Sequence, residues 1–488
     1  MRASGVLMHI TSLPSSHGIG TMGREAYQFI DFLKKAGQRY WQILPLTPTG
    51  YGDSPYQSCS AYGGNHYLID LDMLAEQDLL LPEEISACDW GGDSTRVDFG
   101  LLYKSRLRVL RKAYARFRDE KQEFARFRAE NDLWLPEFAH FMALKAKFDG
   151  KPWYEWEESL KFRDPRAIDR SFCELSEEIQ FYCFVQYLFH MQWTALRAYA
   201  HEAGIAIIGD VPIYVPYDSV EVWCEPALFD LDESLTPIEV AGCPPDGFNE
   251  DGQLWGNPLY RWERHKEDGY RWWMRRLNRA AEWYDMIRLD HFRGFAGYYA
   301  VPFGDATARN GRWLPGPGLD FMQAVKQELP DTPLIAEDLG FLTPDVHKLR
   351  EDAGYPGMKV LEFAFDGGSA NPYLPYNYTP NTVCYTGTHD NMPLKQWFEE
   401  TDAEATDLAK AYAGPGEDPV WGMIRLCMAS VSELAVVLMQ DYLELGRGAR
   451  MNFPGICDGS NWTWRAEALP GDALAARIRG LTELYGRL

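Results

Sequence analysis

Short apolar runs alternate with longer amphipathic segments along most of the chain, and several of the runs end in the same way. Residues 286–289 are apolar except for Arg288, and Asp290 and His291 close the run. Residues 333–336 close on Glu337, Asp338 and Gly340, and residues 382–387 lead to His389 and Asp390. Further strand-like runs cover 5–10, 40–46, 204–215, 357–366 and 434–439. The third of the eight in chain order, 204–215, is the richest in β-branched residues and holds Asp210, which can orient neighbours or cap a loop. Between the runs the apolar spacing is helical, as at Tyr27, Phe29, Ile30 and Leu33, and Thr343-Pro344-Asp345 reads as a helix start. Eight strands alternating with helices predict an α/β fold, a (β/α)8 TIM barrel. Charges are rarely buried unpaired, so acids at the ends of strands belong at the C-terminal mouth of such a barrel.

The pattern predicts one catalytic barrel domain over 1–488, with insertions. From about 72 to 195 the chain reads as mainly helical, with charged amphipathic stretches such as 106–128, which is too long for a loop between barrel strands. A second insertion, about 216–262, bears a candidate lid. Its segment 243–260 is rich in Pro, Gly, Asn and Asp and carries Phe248 and Trp255. Residues 50–70 form a loop crowded with Tyr, Gly and polar side chains, as a binding rim would be. Long helices are expected over 181–202 and 261–284, and a last one over 473–485.

Composition narrows the function. Asp and Glu outnumber Lys and Arg by 71 to 48, a net charge of −23, which disfavours nucleic acid and anionic membrane surfaces but not a neutral substrate. The 17 Trp and 27 Tyr supply flat faces of the kind that stack on pyranose rings. Nine scattered cysteines without a Cys-x-x-Cys pair, no signal-peptide pattern and no long apolar run point to a cytoplasmic protein. Gly18-Ile-Gly20-Thr-Met-Gly23 matches a dinucleotide fingerprint, but the second strand closes on Thr47-Pro48 rather than an acid, so an oxidoreductase is the weakest reading.

Two carboxyl groups suffice to break a glycosidic bond with retention, one as nucleophile and one as acid/base, about 5–5.5 Å apart. Arg288 lies on the same strand face as Asp290 and favours its ionised, nucleophilic form. Glu337 must start protonated, and the like charges of Asp290 and Asp390 would raise its pKa. Asp390 with His389 can hold sugar hydroxyls and stabilise positive charge at the anomeric carbon. No pair of His residues has the i, i+4 spacing of a helical metal site, and there is no P-loop or Gly-x-Ser-x-Gly elbow, so no metal or cofactor is expected.

These stretches resemble the 4-α-glucanotransferases (amylomaltases, or disproportionating enzymes) of glycoside hydrolase family 77 over essentially the whole chain. The motifs that carry the resemblance are Gly-Tyr-Gly-Asp-Ser-Pro-Tyr56-Gln, Gly-Asp210-Val-Pro-Ile-Tyr-Val, Ile-Arg288-Leu-Asp290-His-Phe-Arg-Gly, Ala-Glu337-Asp338-Leu-Gly and Gly-Thr-His389-Asp390-Asn. It implies Asp290 as nucleophile, Glu337 as acid/base and Asp390 as transition-state stabiliser. It further implies donor-sugar contacts from Arg288, His389, Ser54, Tyr56, Asp338 and Asp366, and a lid with Asp246, Phe248, Trp255 and Asn257. Tyr51 matches a tyrosine linked to a second glucan groove. Asn65-His66 departs from the Asn-Pro of many relatives, away from the chemistry. No segment reads as the C-terminal β-sandwich of α-amylases, which favours transfer over hydrolysis. The expected activity is transfer of α-1,4-glucan segments between chains through a covalent intermediate. A retaining α-glucan hydrolase is the alternative within the fold, and a non-catalytic glucan-binding barrel the alternative outside enzymes.

Overall fold

The computed structural model describes residues 2–119, 122–245, 250–340, 342–414, 416, 418–456 and 458–488, with Tyr51 described by its backbone only. Eight parallel strands close into a barrel. They are β1 (Ala3–Leu7), β2 (Tyr40–Gln42), β3 (Ala206–Val211), β4 (Met286–Leu289), β5 (Leu334–Ala336), β6 (Gly357–Val360), β7 (Thr382–Tyr385) and β8 (Leu434–Leu438). Each pairs with the strand before it, and β8 closes on β1.

Side chains alternate faces along each strand. One set, including Leu7, Ile208, Ile335, Met358, Val383, Tyr385 and Val436, packs together as its own cluster. The alternate residues, such as Ile207, Ile287, Leu289 and Val437, join the larger core shared with the helices. This alternation fixes the site. Asp210 of β3 lies directly opposite Arg288 of β4 in the ladder, so two charges sit side by side near the C-terminal end of the barrel.

Between β2 and β3 runs a series of helices, the longest being Phe99–Arg116, Leu135–Lys147 and Ser176–Glu202. Two glycines of the fingerprint segment, Gly18 and Gly23, serve packing against this region. A side chain on Gly18 would strike the Trp90 carbonyl, and one on Gly23 would strike the Asp70 carboxylate. Asp70 also accepts a 2.6 Å bond from the Thr21 hydroxyl. Asp70 thus sets a carboxylate against Gly23 at the N-terminus of the helix Arg24–Lys35, where a fingerprint would have to hold an anion, so the motif is no phosphate cradle. No helix among the described residues is long and apolar enough to cross a membrane.

Three expectations about elements are corrected. The helix read over 261–284 is two helices, Trp262–Glu267 and Arg271–Trp283, separated at Gly269 and Tyr270, both with positive φ. The segment read as turns over 243–260 contains a strand, Gln253–Pro258. It lies at the edge of an antiparallel sheet ordered Gln253–Pro258, Glu239–Cys243, Gly297–Pro302, Arg312–Pro315. Its Pro, Gly and Asn content hid it, because an edge strand tolerates residues that a central strand excludes. Finally, β6 ends at Val360 and β7 at Tyr385, so Asp366 and Asp390 lie on loops rather than at strand ends.

Candidate active site

Asp290 and Glu337 each follow directly on the last residue of a barrel strand, which aims both side chains into the mouth. The Arg288 guanidinium joins two acids through one nitrogen: Nη1 donates to both Asp210 oxygens, at 2.9 and 2.7 Å, and to Asp290 Oδ1 at 2.9 Å. Arg288 and Asp210 are buried, whereas the Asp290 side chain keeps 27% of its surface exposed. Burial alone would lower the Arg288 guanidinium. The charges of Asp210 and then Asp290 overcome it and hold the group well above its ordinary value.

Glu337 is held differently. Its Oε2 accepts the His291 N–H at 2.7 Å and its Oε1 the Leu339 N–H at 3.0 Å. His291 adopts the left-handed conformation with φ +47°, which costs a non-glycine residue about 1 kcal/mol or more. That turn faces its N–H toward Glu337, and the imidazole packs edge-on against Trp255, centroids 4.8 Å apart. Burial pushes the Glu337 carboxyl up to about 8; Arg288 opposes the rise, Asp290 adds to it, and the two backbone donors restrain it. The expectation from like charges therefore needs correction, because burial leads and the Asp290 charge is a smaller contribution.

Asp390 sits on the loop after β7. Its Oδ1 accepts the Asn452 Nδ2–H at 2.6 Å, and the neighbouring His389 Nε2 lies 3.4 Å from its Oδ2. His389 stacks on Tyr56, centroids 5.0 Å apart and planes within 17°, and both rings flank Trp462. The Tyr56 hydroxyl donates 2.8 Å to Asp210 Oδ2, so the rim loop is tied to the same acid that holds Arg288. Tyr56, Asp210, Arg288 and Asp290 thus form one connected polar chain, with His389 and Asp390 beside it.

The remaining expected residues differ in where they sit. Asn257 is buried and accepts the Gln57 side-chain N–H at 3.2 Å, while Ser54 Oγ accepts the Tyr56 N–H at 3.2 Å, so both shape the rim. Trp255 reaches His291 from the edge strand. Asp366 is exposed and accepts from Asn371 Nδ2 at 3.0 Å. Asp338 faces elsewhere: it is buried, its Oδ2 pairs with Arg350 at 3.0 Å, and its Oδ1 accepts the Met358 N–H at 2.7 Å. In this structure Asp338 joins β5, β6 and the helix Pro344–Ala353 behind the mouth. Asp246 and Phe248 lie outside the described residues.

Residues without an expected role also build the site. Asp210 was left open between orienting neighbours and capping a loop, and it orients Arg288 and Tyr56. His291 acts through its backbone, which no side-chain pattern signals. Asn452, far along the chain, fixes the Asp390 rotamer through its side-chain amide.

A closed parallel barrel whose mouth pairs an arginine-bound carboxylate with one held by two backbone N–H groups is an architecture for chemistry on sugar linkages. The family model described as 4-alpha-glucanotransferase, glycoside hydrolase 77, matches residues 8–470. The 4-alpha-glucanotransferase of Thermus thermophilus is 47% identical, covering 100% of this chain and 99% of that one. The enzyme of the same name from Clostridium butyricum is 46% identical, covering 98% and 100%. The structure of amylomaltase from Streptococcus agalactiae in complex with acarbose superposes with a TM-score of 0.96 at 42% identity, with both chains fully covered. The chain belongs to the glycoside hydrolase 77 family of 4-α-glucanotransferases.

Proposed function

We propose that the protein moves segments of α-1,4-glucans to the 4-hydroxyl of an acceptor glucan or glucose by a double displacement at Asp290. The observation that supports this reading best is the contrast between the two carboxyls. Asp290 is bound to the Arg288 guanidinium, whereas Glu337 is half-buried, is held by two backbone N–H groups, and has its carboxyl pushed up to about 8 by desolvation. Asp290 attacks the anomeric carbon while Glu337 protonates the leaving oxygen, giving a glycosyl ester on Asp290. Glu337, now a base, takes the proton of the acceptor hydroxyl as that oxygen attacks, which restores both residues. Asp390, held by Asn452, stabilises the positive charge that develops on the sugar ring.

Sugar competes with water at about 55 M, so transfer needs acceptor sites with a large effective molarity and a mouth that excludes solvent. Maltotriose alone is expected to give glucose and a ladder of longer maltooligosaccharides with almost no rise in total reducing ends. Reducing ends that rise in step with glucose, with no product longer than the substrate, would identify a hydrolase. Trp255 packs over His291 at the edge of the mouth, so Trp255→Ala should raise the hydrolysed fraction about two- to tenfold. Reducing ends measured beside the chain-length distribution check this, and an unchanged ratio would remove Trp255 from solvent exclusion.

The steps use no metal. Among the described residues no three His, Cys, Asp or Glu side chains are grouped so as to hold one. Dialysis against EDTA should leave the rate unchanged, and a loss restored by calcium or zinc would refute the scheme. The same reading puts the protein in the cytoplasm, in keeping with nine scattered cysteines and no Cys-x-x-Cys pair.

A further inference from the structure

The loop that carries His389 and Asp390 is clamped from beneath by groups outside the three-acid scheme. It leaves β7 at Thr386 and enters the helix Leu394–Glu400. Asp441, fully buried just after β8, ties both ends of that loop. Its Oδ2 accepts the Thr386 hydroxyl at 2.6 Å and its Oδ1 the Leu394 N–H at 2.7 Å. Within the loop, Asn391 Oδ1 accepts from the Thr388 N–H and hydroxyl at 2.9 and 2.7 Å. Glu362, buried after β6, faces Asn391 and the Met392 N–H, and Gly387 approaches it so closely that a Cβ there would lie 2.6 Å from Oε1. On the outer side Arg450 donates to the Asp390 carbonyl at 2.9 Å.

A buried carboxylate is costly unless it is well bonded. Asp441 has two short bonds, and both go to the ends of one eight-residue loop rather than to its own strand or helix. Burial raises Asp441 to about 7, and Glu362 lies well above the ordinary carboxylate range through burial and then the Asp441 charge. No step of the reaction uses either proton. We infer that Asp441 is a positioning residue for the transfer reaction, setting the place of Asp390 by fixing both ends of the loop that bears it. This rests on the reading of Asp390 as the transition-state stabiliser.

The test is a cycle of four proteins: wild type, Asp441→Ala, Asp390→Asn and the double variant, with steady-state kinetics on maltotriose. Asp441→Ala should lower kcat about 10- to 100-fold while KM moves less than about threefold, since a displaced stabiliser is felt in the transition state more than in binding. Asp441→Asn keeps an acceptor for Leu394 and a polar partner for Thr386, and should recover most of the rate. In the Asp390→Asn background the Asp441→Ala loss should shrink to less than about threefold, because two residues acting through one contact are not additive. An equal loss in both backgrounds would overturn the inference, as would wild-type kcat in folded Asp441→Ala. If Asp441→Ala does not fold, Thr386→Val cuts one tie alone and should still lower kcat severalfold, and wild-type kcat there overturns the proposal equally. Failure of the underlying reading is seen separately, as full activity in Asp390→Asn itself.

Discussion

Asp290→Asn is expected to fold as the wild type does and to lose at least about 10⁴-fold in kcat, the scale seen when a covalent nucleophile is removed. Folding should survive because the guanidinium keeps its main partner. Arg288 Nη1 still meets both Asp210 oxygens at 2.9 and 2.7 Å, and an asparagine oxygen can still accept the third bond. The reaction should not survive, because an amide is a poor nucleophile and cannot form the ester. Far-ultraviolet circular dichroism and the melting temperature check the first half, and maltotriose disproportionation the second. Mass spectrometry adds a direct readout: 5-fluoro-α-glucosyl fluoride should add one glycosyl group to the wild-type chain and none to the variant. Near-wild-type turnover in a folded variant, or labelling of another carboxylate, would rule out Asp290 as nucleophile.

Much of this site is legible in the sequence for a local reason. A strand passes residues to alternate faces, so an Arg two residues before an Asp at the end of an apolar run puts both charges on one side. The eight apolar runs and their helical spacers likewise carry the barrel. What was hidden depends on contacts between distant segments. The edge strand Gln253–Pro258 exists because Glu239–Cys243 lies beside it, against its own turn-rich composition. The resemblance implied a sugar contact for Asp338; in the structure its carboxylate pairs with Arg350 and accepts the Met358 N–H. The role of the His291 N–H follows from a backbone angle, and that of Asn452 from a contact across 62 residues.

Glu337→Gln should lower turnover of maltotriose by about 10²- to 10⁴-fold, the contribution typical of a general acid. With α-glucosyl fluoride, whose leaving group needs little acid help, fluoride should appear in a rapid burst of one equivalent per enzyme. Slow turnover should follow, because the base for the second step is also gone. Equal losses with both donors and no burst would exclude Glu337 as the acid. In the wild type the rate should fall as pH rises through about 8, where the Glu337 carboxyl loses the proton it must donate. Stability carries the same signature. A carboxyl raised from 4.5 to about 8 holds a proton in the folded chain that the unfolded chain has released, so stability falls as pH rises across that interval. Glutamine removes this dependence. Relative to wild type, Glu337→Gln should therefore gain stability between pH 4.5 and 8, reaching on the order of a few kcal/mol above pH 8. Melting curves at pH 4 and pH 9 measure it. A variant that gains nothing at pH 9 relative to pH 4 would show that the wild-type carboxyl ionises without difficulty, and the acid would have to be sought in another group.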